Sequence, residues 1–222
     1  MTDPGKLQTS VGNSREIVVI GAGGHARVIV DCLRMAGWNV IGCTDSDPTP
    51  RNCAGVPVIG TDDMLGKLRD DGIAHAFCAL GNNRLRQRVG DGLVGFGFAL
   101  PAIICPSAIV SPSVQIGAGV AILPGAVVNV DSVIGALAII NTNASVDHDG
   151  IIGRAAHIGP GTALAGKVEV GERTFIATGS AVIPQRRIGS DSLIGAGSVV
   201  ISDLPANVVA FGNPARVRRP YP

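Results

Sequence analysis

The chain has 222 residues, of which 46% are hydrophobic and 16% charged, with a formal net charge of +1. That length allows one or two domains with a sizeable core, and so balanced a charge gives no electrostatic case for nucleic acid or an anionic membrane as a partner. Glycine, at 31 residues, runs near double its average usage while aromatics make up only 3%, which points to a narrow, repetitive core of small and aliphatic side chains.

Residues 1–14 are polar and Gly-containing and are expected to form a frayed tail. No N-terminal stretch has the charge and apolar core of a secretion signal, and no run approaches the ~20 apolar residues of a membrane span, so a soluble, cytoplasmic protein is expected. Cys32, Cys43, Cys53, Cys78 and Cys105 show neither a C-x-x-C pair nor metal-ligand spacing. They read as free thiols of an intracellular protein.

Residues 15–101 read as a small α/β unit. "EIVVIGAGGHARVIVDCLRMAGWNVIGCTDSDP" predicts a strand over 17–20, a turn at Gly21, Gly23, Gly24 and His25, a helix over 26–36 and a strand over 40–43 that closes on Asp45. "AHAFCALGNN" predicts a further strand and loop, and residues 84–94 a helix. Strands alternating with helices imply a parallel sheet. The turn fits GxGxxA with Asp45 further on, so a dinucleotide fingerprint has to be weighed. The unit is small for an NAD or FAD fold. A nucleotide phosphate or sugar held by N–H groups at the helix start suits it better, and a purely structural turn is the third reading.

Residues 102–205 carry a beat of six. From Ile104 through Val110, Ile116, Ile122 and onward to Val200, all seventeen positions are Ile, Val or Leu. This is the hexapeptide signature of a parallel β-helix, each hexad supplying one short strand and one corner. The aliphatic and the residue two before it point inward, their neighbours outward, and Gly and other small residues suit the corners. Residues 206–222 form a C-terminal cap.

His148 and His157 fall within "IINTNASVDHDGIIGRAAHIGPG". His148 lies two after Val146, at a corner, and His157 immediately precedes Ile158 and points outward. Neither takes an inward slot, so both face solvent, a neighbouring subunit or a ligand. An imidazole can deprotonate an amine at neutral pH. A carboxylate on its other ring nitrogen fixes the tautomer, a task for Asp149, with Asp147 as the fallback. If residues 18 apart stack, Gly166 leaves an opening beside His148 through which a thioester can pass.

Taken together, "GAGGHA", "TDSD", "LGNN", the double-histidine segment and the tail "GNPARVRR" resemble one family, over about residues 17–219. Its members are bacterial acetyltransferases with a Rossmann-like N-terminal domain and a left-handed parallel β-helix, acting on nucleotide-linked amino sugars or on sialic acid. The chain is most similar to the GDP-perosamine N-acetyltransferase type. The resemblance implies three hexads per coil and acetyl-CoA as co-substrate with no metal. It implies a homotrimer with active sites between coils, and a role in lipopolysaccharide O-antigen synthesis. His148 would be the base and Asp149 its partner, although the family often has Glu there. His157, Gly166, Thr178 and Ala196 would contact acetyl-CoA, the last two through main chain unless they are simply structural. Gly23, Gly24, His25, Asp45, Ser46 and Gly81 would hold the nucleotide sugar, with Asn82 and Asn83 assisting, while a turn-capping role is the alternative for Asp45. O-acetylation of a sugar hydroxyl remains open, as does a non-enzymatic or metal-binding β-helix. A metal would need a third ligand beside the two histidines.

Overall fold

Four successive apolar residues, Ile17 to Ile20, are at most 2% exposed. A strand buried on both faces in this way belongs at the centre of a parallel sheet. In the computed structural model, which describes residues 15–47, 49 and 51–221, that is where it lies. The expected tail falls outside the described residues. β1 (Glu16–Ile20) is followed by α1 (Gly24–Met35), β2 (Asn39–Thr44), β3 (Asn52–Cys53), β4 (Val56–Gly60), a short 3-10 turn, α2 (Leu65–Asp70), β5 (His75–Cys78) and α3 (Asn83–Gly95). The sheet order is β3-β4-β2-β1-β5, parallel except for the β3–β4 hairpin. The sequence reading did not anticipate β3, β4 or α2, whose apolar pieces are too short to display a period.

Seventeen two-residue strands follow, from β6 (Ile103–Ile104) to β22 (Val199–Val200). Each pairs in parallel with the strand eighteen residues away: Val127 opposite Ile109 and Ser145, Val133 opposite Gln115 and Ile151, Ile139 opposite Ala121 and His157. Three hexads therefore close one coil, and the strands form three flat faces of a prism. We call the sheet containing Ser145 the first face, that containing Ile151 the second and that containing His157 the third. From Ile122 to Val200 every sixth aliphatic is at most 3% exposed. The hairpin of β23 (Val208–Gly212) and β24 (Ala215–Pro220) extends the third face and closes the far end with Ala210 and Ala215.

The corners correct the expectation of small residues in one respect. Every sixth residue from Gly119 to Gly197 has a left-handed φ, but among them are Leu137, Ala155, Lys167, Arg173 and Gln185. This conformation costs a non-glycine residue roughly 1–2 kcal/mol. Stacking offsets it, because the corner N–H donates to the coil before: Asp149 N to Val130 O at 3.0 Å, Lys167 N to His148 O at 2.9 Å. A different glycine series has a different cause. At Gly117, Gly135, Gly153, Gly171 and Gly189, on the edge between the second and third faces, a Cβ would lie within 3.0 Å of the backbone of the next coil.

The N-terminal unit sits on the third face. Ile17, Ile29 and Leu33 share a core with Ile103, Ala121, Leu123 and Ile139, and Leu93 and Phe98 share another with Leu137 and Ala155. Truncating the fully buried Ile158 to Ala should cost about 2–5 kcal/mol. Val94→Ala, at a side chain 59% exposed on α3, should stay within about 0.5 kcal/mol. Urea unfolding midpoints distinguish the two, and equal shifts would refute the inward-outward alternation.

Candidate functional site

His148 stands on the edge between the first and second faces. Its ring is about half exposed, and Nδ1 lies 2.7 Å from Asp149 Oδ2. Asp149 is itself the left-handed residue of that corner, a conformation Asp tolerates well, and it brings the carboxylate onto its neighbour's ring. Asp147, the fallback partner, is used otherwise. Its Oδ1 accepts from Asn129 Nδ2 at 2.9 Å and from the His148 backbone N–H at 2.8 Å. The buried Ser132 hydroxyl bridges the corner, donating to Asp147 O and accepting from Gly150 N–H. Gly166 stacks on His148 as expected, but the space it leaves is filled by the imidazole. A Cβ at Gly166 would overlap the ring at Nε2, so the glycine accommodates the ring instead of opening a passage.

A second cluster lies at the carboxyl edge of the sheet, against the third face. Gly23 and Gly24 are exposed at the start of α1, and His25 occupies its first turn. Asp45 ties this turn down: Oδ2 accepts from Ala22 N–H at 2.8 Å, Oδ1 from Asp47 N–H at 3.1 Å, and Arg51 pairs with it at 3.2 Å. These bonds outweigh partial burial and hold its carboxyl below the usual range. The turn-capping reading of Asp45 is thus realised in the structure. Among the described residues Ser46 makes a long contact with Asp45, at 3.4 Å. Asn82 caps α3 through Leu85 N–H, while Asn83 reaches Arg173 O at 2.8 Å.

His157 needs correcting. Its side chain does point out of the coil, but the chain's own N-terminal unit covers it, leaving it 8% exposed. Its ring lies 4.7 Å from Phe175 and 6.3 Å from the His25 ring, centroid to centroid. Asn141 Nδ2 is 2.9 Å from Nε2, and Asn141 Oδ1 is occupied by Thr142 N–H. Nε2 therefore accepts, which leaves the ring proton on Nδ1. Thr178 and Ala196 are exposed one above the other on the edge between the third and first faces, where Thr178 O accepts from Gly197 N–H. The expected residues thus fall in three places: His148, Asp149 and Gly166 on one edge; Thr178 and Ala196 on another; His25, Asp45, Gly81 and His157 under and around the N-terminal unit.

Two residues without a role in the sequence reading belong here. Asn141 lies inside the quoted motif, one hexad before Asp147. Arg86 is 1% exposed. Its Nε donates to Leu137 O at 2.8 Å, Nη1 to Leu80 O at 2.9 Å and Gly81 O at 3.2 Å, and Nη2 to Asn83 Oδ1 at 2.9 Å and Ala155 O at 2.7 Å. Among the described residues no group of three or more His, Cys, Asp or Glu is placed to hold a metal. No helix among them is long and apolar enough to cross a membrane.

Burial, reinforced by the charge of Arg86, pushes His25 down to about 4. Burial, then Arg86 and His25, pushes His157 down to about 3. In the unfolded chain both titrate near 6.5. Below that value the unfolded state takes up protons that the folded state refuses, so stability falls as pH drops from about 6.5 towards 4 and is unaffected above about 7. Each ring contributes a slope of up to about 1.4 kcal/mol per pH unit. Urea midpoints at pH 7, 6 and 5 should fall less steeply in His157→Gln, and parallel slopes would contradict a buried neutral imidazole.

Comparison with known proteins now adds to the geometry. A family model described as the PglD N-terminal domain matches residues 16–93. Perosamine N-acetyltransferase from Caulobacter crescentus, solved as a histidine-to-asparagine mutant in complex with CoA and GDP-perosamine, is 51% identical with a TM-score of 0.90, over 91% of this chain and 96% of that one. The acetyltransferase domain of PglB from Neisseria gonorrhoeae FA1090, in complex with acetyl coenzyme A, is 38% identical with a TM-score of 0.89, over 92% and 100%. Among curated sequences, an uncharacterised protein of Acanthamoeba polyphaga mimivirus is 30% identical over 105 residues, or 46% of this chain, and the chain spans 20% of that protein's length. Half of all positions shared with the Caulobacter protein across nearly its whole length, on the same two-part architecture, place the chain in the family of hexapeptide-repeat sugar N-acetyltransferases with a PglD-type N-terminal domain.

Proposed function

We propose that this chain transfers the acetyl group of acetyl-CoA to the amino group of a nucleotide-linked 4-amino-4,6-dideoxy sugar, with GDP-perosamine the first candidate. The product would serve surface polysaccharide synthesis, of the lipopolysaccharide O-antigen kind, in the cytoplasm. One observation carries the reading: the His148–Asp149 pair at 2.7 Å on an open prism edge. The carboxylate keeps a proton on Nδ1, so Nε2 is the free basic nitrogen. A sugar ammonium gives its proton to Nε2, and the nitrogen lone pair attacks the thioester carbonyl. The tetrahedral intermediate then expels CoA thiolate, which takes the proton from the imidazolium, and the second proton of the nitrogen leaves to solvent as the amide forms. No protein nucleophile is involved.

The acceptor would bind over the turn of Gly23, Gly24 and His25, with Asp45, Ser46 and Gly81 around it. The Nε2 of His25, buried without a partner among the described residues, supports this, because a polar group held from water without a bond is costly until a ligand supplies one. His157, through its bond to Asn141, would border the acetyl end, and Thr178 and Ala196 would flank the pantetheine. In one chain, however, the N-terminal unit covers the third face while His148 stands on the opposite edge. We therefore place the base of one subunit against the acceptor unit of the next, in a closed homotrimer. Apolar side chains left open on the other two faces, Ile109 at 68% and Ile151 at 47% exposed, favour such an assembly.

His148→Ala should lower CoA release by about 10²–10⁴-fold while acetyl-CoA binding by calorimetry persists. Equal turnover would remove the assigned role. Thiol release with the amino sugar, but not with its hydroxyl counterpart or with sialic acid, separates N- from O-acetylation. Gly166→Ala should lower turnover by displacing the ring, without a comparable loss of acceptor binding. Co-refolding His148→Ala with His25→Ala, each inactive alone, should return about a quarter of wild-type activity if sites form between subunits of a ring. No recovery would place the whole site within one chain.

A further inference from the structure

Arginine is almost never fully buried unless it is paired with an acid, yet the Arg86 guanidinium is 1% exposed and bonds only to carbonyl and amide oxygens. Burial lowers it only to about 10, so it stays charged at neutral pH. All five of its N–H donors can be occupied, and the acceptors come from three separate stretches. Leu80 and Gly81 belong to the loop after β5. Leu137 is the corner residue entering β12 (Ile139–Ile140). Ala155 and Ala156 immediately precede β15 (His157–Ile158). Asn141 directly follows β12 and His157 opens β15, and the two bond to each other. The Gly81 carbonyl accepts from Arg86 Nη1 at 3.2 Å, and the Gly81 backbone also lies close to the His157 ring. Gly90, one helical turn on from Arg86, lets α3 approach closely, since a Cβ there would lie 2.7 Å from Leu137 Cδ1.

We propose that Arg86 is a positioning residue for acetyl transfer, fixing the Gly81 loop and the His157–Asn141 pair as one rigid unit. This rests on the function proposed above, in which Gly81 borders the acceptor and the pair borders the acyl group. Backbone carbonyls and the Asn83 amide hold the cation, so its positive charge remains uncancelled beside His157 and adds to burial in keeping that ring neutral. The charged or titratable groups acting on His157 are Arg86 from α3 and His25 from α1. A neutral His157 accepts at Nε2 from Asn141 Nδ2, whose amide is oriented by Thr142 N–H on Oδ1. A lysine retains the charge but offers three donors from one point, and cannot span three segments with a planar fork.

The test uses the full chain, with Arg86→Lys and Arg86→Gln. The expected result for Arg86→Lys is a folded protein whose kcat falls at least 10-fold, with KM raised for both substrates. In nitrogen-15 spectra His157 should lose its single-tautomer signature. In Arg86→Gln, His157 should also begin to titrate between pH 7 and 4, where the wild-type ring stays neutral. A lower Tm with unchanged kcat, KM and His157 spectrum would overturn the proposal, reducing Arg86 to a domain fastener. If the spectrum changes as expected but the wild-type protein acetylates no amino sugar, the functional reading fails while the positioning of His157 stands.

Discussion

Six oxygens and one cation hold the two halves of this protein in register. Arg86 brings no carboxylate with it, and its desolvation is met entirely by oriented carbonyls and one amide. Such an arrangement is costly to disturb, because any donor left without an acceptor remains buried and charged. The consequence is geometric. The α/β unit cannot slide along the third face, since the carbonyls of Leu137, Ala155 and Ala156 stand at fixed heights on successive coils. Around this contact the ion pairs of Arg173 and Arg84 with Asp191 add a more solvated fastening, worth less for each bond.

That fixed docking also explains why the candidate site is divided. His148 is out on an edge, half exposed, while His157 under the N-terminal unit is buried and held neutral. Their environments fit the different tasks proposed for them, proton exchange with a ligand at the first and a rigid polar wall at the second. The prism's thickness lies between the base and the acceptor unit of one chain. Assembly is then a chemical requirement of the proposed reaction and not merely a way of covering apolar surface.

Much of this was legible in the chain itself. The six-residue beat survives because an inward slot in so narrow a core tolerates little besides Ile, Val or Leu, and the positions of His148 and His157 outside those slots followed from counting. The outward direction of His157 was readable, but its covering was not, because that depends on where a separate unit docks. Corner residues such as Leu137, Arg173 and Gln185 carry no local signal for a left-handed backbone. Stacking imposes it through hydrogen bonds to a coil eighteen residues earlier. Arg86 looked like one of several arginines on a polar helix. Its phase was informative, for it shares a stripe with Gly90 and Leu93, the buried residues of α3, whereas Arg84 and Arg88 do not. Asn141 was overlooked because an asparagine at a corner also has an ordinary role in turns.

Two periods coexist in the prism, and they answer to different selective demands. Adding or removing one hexad would leave every interior aliphatic in its slot, so the core would scarcely register the event. It would nevertheless rotate everything downstream by a third of a turn, taking the glycines of the crowded edge to sites that do not need them and carrying Thr178 and Ala196 to another side of the prism. Only whole coils conserve both. Length variation among chains built this way should therefore come in steps of eighteen, and a lone six-residue indel before the His148 corner would mark a protein that has kept its shape but turned that corner away from its place relative to the N-terminal unit.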